Sequence, residues 1–126
     1  MAGIMKNDVD ERNARIESTM LGIEDHGILT ACLTLDYDGS GQGFGMMVFD
    51  HEKRDGQKCA TPFAARFIRS VLETVGVDNW EDLPGKNVRV RATHDKVHAI
   101  GNILKNKWFY PEKLAAEIVP RGCKAA

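Results

Sequence analysis

The sequence predicts an α+β domain: an antiparallel sheet of about five strands, one main helix packed on it, and a short C-terminal helix. Three stretches carry this expectation. Ile28–Leu35 alternates in the manner of a buried strand, with Leu29, Ala31, Leu33 and Leu35 on one side and Ile28, Thr30, Cys32 and Thr34 on the other. Thr61–Gly76 reads as an amphipathic helix with both ends marked. Lys86–Lys105 divides into two strand-like halves about Asp95-Lys96.

In chain order, Met1–Arg12 has no periodic pattern and is read as a mobile lead-in to a single domain spanning residues 1–126. Arg15–Ile23 alternates with β-branched and Met residues, as a strand with one partly wet face does. Asp25–Gly27 turns the chain into the Ile28–Leu35 strand, so these two strands form a hairpin. Asp36–Gly45 is read as a glycine loop, Phe44–Asp50 as a third strand, and the charged His51–Cys59 as a surface loop. Thr61 then stands at a helix N-cap with Pro62 in the first turn, where its missing N–H would be unpaired in any case. Phe63, Phe67, Ile68, Val71, Leu72 and Val75 form the apolar stripe, and Gly76 ends the helix. Asp78–Glu81 reads as a short capped turn anchored by Trp80, followed by a Pro84-Gly85 turn. After the Lys86–Lys105 hairpin, Trp108-Phe109-Tyr110 reads as an aromatic plug for the core, and Pro111–Ile118 as the short helix. No repeat or linker divides the chain.

Composition narrows the functional classes. Apolar residues make up 43% and charged residues 28% of the chain, ordinary values for a globular domain. Seventeen basic and 18 acidic side chains give a formal charge of −1, without the basic excess of a nucleic-acid polymer binder. Any bound anion is therefore expected to be small and held locally. Cys32, Cys59 and Cys123 lack metal-type spacing, and the odd count suggests reduced thiols in a cytosolic setting. No apolar run reaches the roughly 18–20 residues that span a bilayer, and the polar start is unlike a signal peptide, so no membrane partner is expected.

Gly39-Ser40-Gly41-Gln42-Gly43-Phe44-Gly45 is neither a P-loop, because no Gly-Lys-Ser/Thr follows, nor a dinucleotide fingerprint, because a strand follows it. Such glycines suit either an anion nest of backbone N–H groups or the close approach of another chain, against the plainer reading of a flexible connection. With Asp95-Lys96 as a two-residue turn, Val88, Val90 and Ala92 share a core face with Val97, Ala99, Gly101 and Ile103. The other face then carries Arg89, Arg91, Thr93, His98, Ile100 and Asn102, with Arg89 opposite Asn102 and Thr93 opposite His98. Guanidinium, amide and imidazole groups on one flat face suit phosphate and base-edge recognition, whereas a solvated sheet face is the plain alternative. A longer turn would shift the register and break this grouping. On the helix, Arg69 and Glu73 are placed for an exposed i,i+4 pair, which leaves Arg66 freer to meet a ligand. His26, His51, His94 and His98 lack metal-binding spacing, and no nucleophile motif is present, so no catalytic residue, metal or cofactor is expected.

IESTMLGIEDHGILTACLTLDYDGSGQGFG, FIRSVLETVGVDNWEDLPGKNVRVRA and KVHAIGNILKNKWF together resemble a family of small phage proteins, the first-described Thoeris anti-defence family of signal "sponges". The similarity covers roughly Ala14–Phe109 and rests on whole segments, since no short catalytic signature exists. The resemblance implies a non-enzymatic protein that sequesters glycocyclic ADP-ribose made by TIR-domain enzymes, with cyclic trinucleotides bound by some relatives at a separate site. It also implies a homodimer or homohexamer working in the cytoplasm of the infected bacterial host. Family pockets use arginines, an asparagine and a stacking aromatic. The matching types here are Arg66 or Arg69, Asn102 and Arg121, with Phe109 and Trp108 as candidates for the aromatic. Met46-Met47 follow GQGFG where the family pattern has a small residue and a tyrosine, a departure at the downstream edge of the loop.

The leading expectation is thus an immune-evasion protein that captures a small cyclic nucleotide without cleaving it. Its ligand contacts are drawn from Arg66, Arg69, Arg89, Arg91, His98, Asn102, Phe109 and Arg121. Gly39, Gly41, Gln42 and Gly43 are assigned to a second anion site or a subunit contact, and replacing Asn102 with alanine is expected to weaken capture without unfolding the domain. The alternatives are a phage structural or replication-associated interaction protein with weak, salt-sensitive nucleic-acid binding, and an enzyme that degrades the signal.

Overall fold

A computed structural model describes residues 9–37 and 39–118. The chain begins as a meander of β1 (Asp10–Ile23), β2 (Leu29–Tyr37) and β3 (Ser40–Gly45). A small hairpin of β4 (Asp50–Glu52) and β5 (Lys58–Ala60) follows, then α1 (Pro62–Val75) and a 3-10 turn at Trp80–Asp82. β6 (Asn87–Ala92), β7 (Val97–Gly101), β8 (Trp108–Phe109) and α2 (Pro111–Glu117) complete it. Six strands form one antiparallel sheet in the order β3-β2-β1-β6-β7-β8, with one main helix and a short C-terminal helix, which is the α+β class that the sequence predicts. β6 returns through α1 to lie beside β1, so β6-β1-β2-β3 is a Greek key.

β1 joins the two halves. Asp10–Arg15 pairs with β6 and Arg15–Ile23 pairs with β2, and the change of neighbour falls at a bulge between Ile16 and Ser18. An extra residue bends and twists a strand. The resulting curl brings edge strand β3 to the far end of the sheet, where Gln42 Nε2 donates to Asp95 O at 3.1 Å. The expected lead-in ends earlier than predicted, because Asp10–Arg12 already belong to β1. Their charges face solvent from a paired strand, which removes the apolar alternation that would have marked it.

The core lies between the sheet and α1. Ile16, Leu33, Leu35, Val88, Val90 and Ile100 from the sheet meet Phe67 and Val71 from the helix, all without solvent exposure. Phe67 is central: its ring lies 5.2 Å from Phe49, 5.3 Å from Phe109, 5.9 Å from Phe63 and 6.1 Å from Phe44. The helix has the predicted start and end. Gly76 takes φ 92° and its N–H donates to Leu72 O at 2.8 Å, as an αL terminator does. Thr61 occupies the N-cap position, but its hydroxyl donates to Phe49 O at 2.9 Å instead of capping the helix. This ties the helix start to the segment after β3.

Four expectations are corrected. The glycine stretch is not a loop: Ser40–Gly45 is an edge strand in register with β2, Gly41 opposite Asp36 and Gly43 opposite Thr34. The expected third strand at Phe44–Asp50 is displaced toward the N-terminus accordingly, and His51–Cys59 contains the β4–β5 hairpin rather than a plain loop. Cys32 is a free thiol, whereas Cys59 is disulfide-bonded, so the expectation of reduced thiols fails at Cys59. Burial pushes the Cys32 thiol above its ordinary pKa, which suppresses the reactive thiolate.

Candidate functional site

The β6–β7 hairpin carries the polar grouping that the sequence singles out, in a different register. Thr93 N donates to Lys96 O at 2.9 Å, so the turn sits at His94-Asp95, one residue before the expected Asp95-Lys96. Ala92 faces Val97 while Arg91 faces Ala99, which leaves His98 as the extra residue of a bulge. Arg89 then lies opposite Gly101, not Asn102. Ile100, expected on the polar face, is fully buried opposite Val90, and Ala99 and Gly101 take the face expected for it.

Gly101 has a clear purpose there. A Cβ at this position would lie 2.7 Å from Trp108 Cδ2 and Cε3, because the indole lies flat across the glycine. The two arginines stack on the same ring, with Arg91 Cζ 3.7 Å and Arg89 Cζ 4.7 Å from its centroid. Successive residues of a strand point to opposite faces, so Trp108 takes the arginine face and Phe109 enters the core. Phe109 is buried, with its ring edge-on to those of Phe44 and Phe67. The aromatic on the polar face is therefore Trp108, and Phe109 is unavailable for stacking on a ligand.

The two arginines differ in what they leave free. Arg89 donates Nε to Asn102 O at 2.9 Å, Nη2 to Lys105 O at 2.8 Å, and Nη1 to Glu11 at 3.4 Å. Every nitrogen is occupied, and its task is to hold the 102–107 loop. Arg91 donates Nε to Glu11 at 3.2 Å and Nη1 to the Tyr110 hydroxyl at 2.7 Å. Those two bonds and the indole fix the guanidinium and leave Nη2 without a partner among the described residues. The Tyr110 hydrogen bond first, and the Glu11 carboxylate after it, hold the Arg91 pKa above its ordinary value. Its charge is permanent.

Asn102 is likewise a builder of the loop. Its Oδ1 accepts from Leu104 N at 2.9 Å and Lys105 N at 2.8 Å, and its Nδ2 donates to Thr74 O at 3.0 Å near the end of α1. Asn102→Ala is accordingly expected to lower stability by about 2–4 kcal/mol, the net worth of three hydrogen bonds, two of them closing the loop. Urea denaturation checks this, and an unchanged midpoint would contradict it. This adds a stability cost to the expectation that alanine at position 102 weakens capture without unfolding the domain.

Around Arg91 lies an open cleft of about 550 Å³, within the size range of small-molecule sites. Its lining includes Glu11, Thr93, His98, Tyr110, Glu112 and Lys113. His98 Nε2 lies 3.0 Å from Thr93 Oγ1, which orients the imidazole. The Lys113 ammonium sits over the Tyr110 ring at 4.3 Å. Across the rim, Lys96 Nζ donates to Glu112 and holds that carboxyl below its ordinary pKa. Glu11 and Glu112 are thus both engaged by cations; in the lining Arg91 and Lys113 balance these two carboxylates, and Lys96 adds one positive charge at the rim. A fixed guanidinium edge, an ammonium, an imidazole and a phenol ring suit a compact anion that carries an aromatic base.

The remaining candidates lie elsewhere. Arg66 and Arg69 are exposed on the side of α1 away from its buried stripe, and Arg69 Nε bonds Glu73 at 3.0 Å as the predicted helix pair. The core separates them from Arg89 and Arg91, so they do not share a pocket within one protomer. Arg121 lies outside the described residues. Gly39, at φ 77°, turns β2 into β3, and Gly41, Gln42 and Gly43 run as extended strand. Extended backbone points successive N–H groups to opposite sides, so no anion nest forms in this stretch. Glu11 and Lys113 escaped the sequence reading, which took Tyr110 for part of a core plug, whereas its hydroxyl holds Arg91 in the cleft. Their signal, one acidic residue in a charged lead and a lysine two residues after a proline, becomes visible only when β1 pairs with β6 and α2 folds back.

Among the described residues no group of three His, Cys, Asp or Glu side chains is arranged to hold a metal, and no helix is long and apolar enough to cross a membrane. Comparison with known protein families, characterised proteins and solved structures finds no match to this chain.

Proposed function

We propose that this is a phage immune-evasion protein that captures a small cyclic nucleotide signal of the glycocyclic ADP-ribose type and withholds it intact. It acts in the cytoplasm of the infected bacterium as a homodimer or homohexamer, with cyclic trinucleotides held at a separate site. The resemblance of its segments to the Thoeris anti-defence sponges suggests the ligand. The observation that carries the reading is Arg91: a guanidinium clamped by Glu11, Tyr110 and Trp108, with Nη2 unpartnered among the described residues, in the lining of a cleft of about 550 Å³. A sponge needs tight ground-state binding alone, and donors fixed in advance lower the ordering cost of binding. A phosphate on Nη2, with base or ribose against Tyr110 and Lys113, uses the groups present without any bond being broken.

Arg91→Ala is expected to weaken capture of glycocyclic ADP-ribose by about ten- to a hundredfold, the worth of one charge-assisted hydrogen bond. Isothermal titration calorimetry reads the affinity, and a thermal melt of the same sample checks that the fold survives. Unchanged affinity in a folded Arg91→Ala variant would place the ligand elsewhere.

A further inference from the structure

A groove of about 380 Å³ opens between β4, the start of α1 and the end of α2. Val48, Phe63, Ala115 and Ile118 make its lining mostly apolar, and Asp50 is the one carboxylate in it. Val48 is 59% exposed. Two observations identify the segment that covers this surface.

The first is the end of α2. Ile118 lines the groove, donates its N–H to Leu114 O at 3.2 Å, and leaves the helix in extended conformation at φ −93° and ψ 108°. Pro120 has no N–H and biases Val119 toward the same extended backbone, which opposes any resumption of the helix. Residues 119–126, outside the described residues, therefore start at the edge of the groove. Val119 and Pro120 match its apolar lining, and the charged side chains that follow, Arg121 and Lys124, are opposite in sign to Asp50.

The second is Cys59. It is disulfide-bonded, the chain has three cysteines, and Cys32 is a free thiol, so Cys123 is the partner that remains within the chain. Cys59 stands opposite His51 in the β4–β5 hairpin, and directly opposed residues of an antiparallel pair share a face. His51 lines the groove, which puts the Cys59 sulfur on the groove side of the hairpin. Cys123 follows Ile118 by five residues, a reach of at most about 18 Å.

We propose that residues 119–126 lie across this groove as a strap, fastened to β5 by a Cys59–Cys123 disulfide and released by thiol–disulfide exchange. Val119 and Pro120 cover the apolar lining at Val48 and Phe63, and Arg121 comes to Asp50. Docking and bond support each other: the groove holds the two sulfurs at high effective concentration, and the bond keeps the strap in place. Exchange with a cellular thiol such as glutathione opens it. Two glutathione thiols give up two protons and two electrons and become one oxidised glutathione, while Cys59 and Cys123 become thiols. The redox poise around the protein then sets whether the groove is covered. The inference stands independently of what the Arg91 cleft binds.

Equilibrating the full chain in graded mixtures of reduced and oxidised glutathione tests it, with alkylation and mass spectrometry counting thiols at each ratio. At the oxidising end one thiol per chain is expected, at Cys32, and a tryptic digest without reductant is expected to hold residues 59–66 joined to residues 122–124. Val48→Ser removes apolar contact at an exposed position. It is expected to make reduction easier by about three- to tenfold in the glutathione ratio at the midpoint, with an unchanged circular dichroism spectrum. Three thiols or glutathione adducts in place of the Cys59–Cys123 link would overturn the strap. A doubled chain mass without reductant would overturn it too, since the bond would then join two copies. So would an unchanged midpoint in folded Val48→Ser, because the segment would be tied to β5 without lying in the groove.

Discussion

Gly45→Ala is expected to destabilise the protein by roughly 3–5 kcal/mol, combining a strained backbone with an overpacked contact. Gly45 has φ 105°, and a Cβ there would lie 2.6 Å from Ala31 O and 3.1 Å from Phe67 Cζ. A phenylalanine ring can tilt, but Ala31 O cannot retreat: it belongs to β2 and accepts from Met46 N at 2.7 Å. The substitution therefore forces β3 off β2 at the point where the chain leaves the sheet toward α1. With a total stability of about 5–15 kcal/mol for an ordinary domain, the loss is large enough to leave part of the population unfolded at ambient temperature. Differential scanning calorimetry checks it. Gly41→Ala, where the nearest atom to the new Cβ is Thr34 Cγ2 at 3.9 Å, is the matched control and is expected to shift the midpoint little.

Phe67→Ala is the second large effect, about 3–5 kcal/mol for removal of a fully buried ring. Four other phenylalanines pack around Phe67, and they come from β3, the segment before β4, the start of α1, and β8. No one element can move inward to fill the void without losing its own contacts. Phe67→Leu should recover part of the loss because it keeps more of the volume. The ordering wild type, then leucine, then alanine in chemical denaturation is the expected result. Equal midpoints for wild type and alanine would show that the ring cluster is not the core.

The helix was legible in full, because its start and end are set by single residues: Pro62 tolerates only the first turn, and Gly76 alone adopts φ 92° without strain. β2 was legible because its alternation is uninterrupted. Register was not. The bulge at His98 adds one residue that no periodicity announces, and the shift moved Ile100 into the core and Gly101 onto the arginine face. Gly41 and Gly43 disguised an edge strand, since their own preference opposes it and only pairing with β2 overrides that preference.

The candidate site was half legible. Arg91 and His98 do share one cleft, whereas Arg89 and Asn102 are consumed in building the 102–107 loop. Residue type identified donors but not their existing obligations, which depend on backbone carbonyls brought near by the fold. Tyr110 and Glu11 lie 99 residues apart in sequence and meet only through Arg91. Trp108 and Phe109 had equal standing as aromatics until strand alternation sent one outward and the other inward.

Capture without chemistry is tested most directly by mixing the protein with glycocyclic ADP-ribose, removing unbound nucleotide by gel filtration, and heating the protein fraction to release what it holds. The account predicts that the intact signal is recovered by mass spectrometry in stoichiometric yield from the wild type and in reduced yield from Arg91→Ala. Linearised or hydrolysed nucleotide would show an enzyme instead, and a wild-type fraction carrying no nucleotide would contradict capture itself.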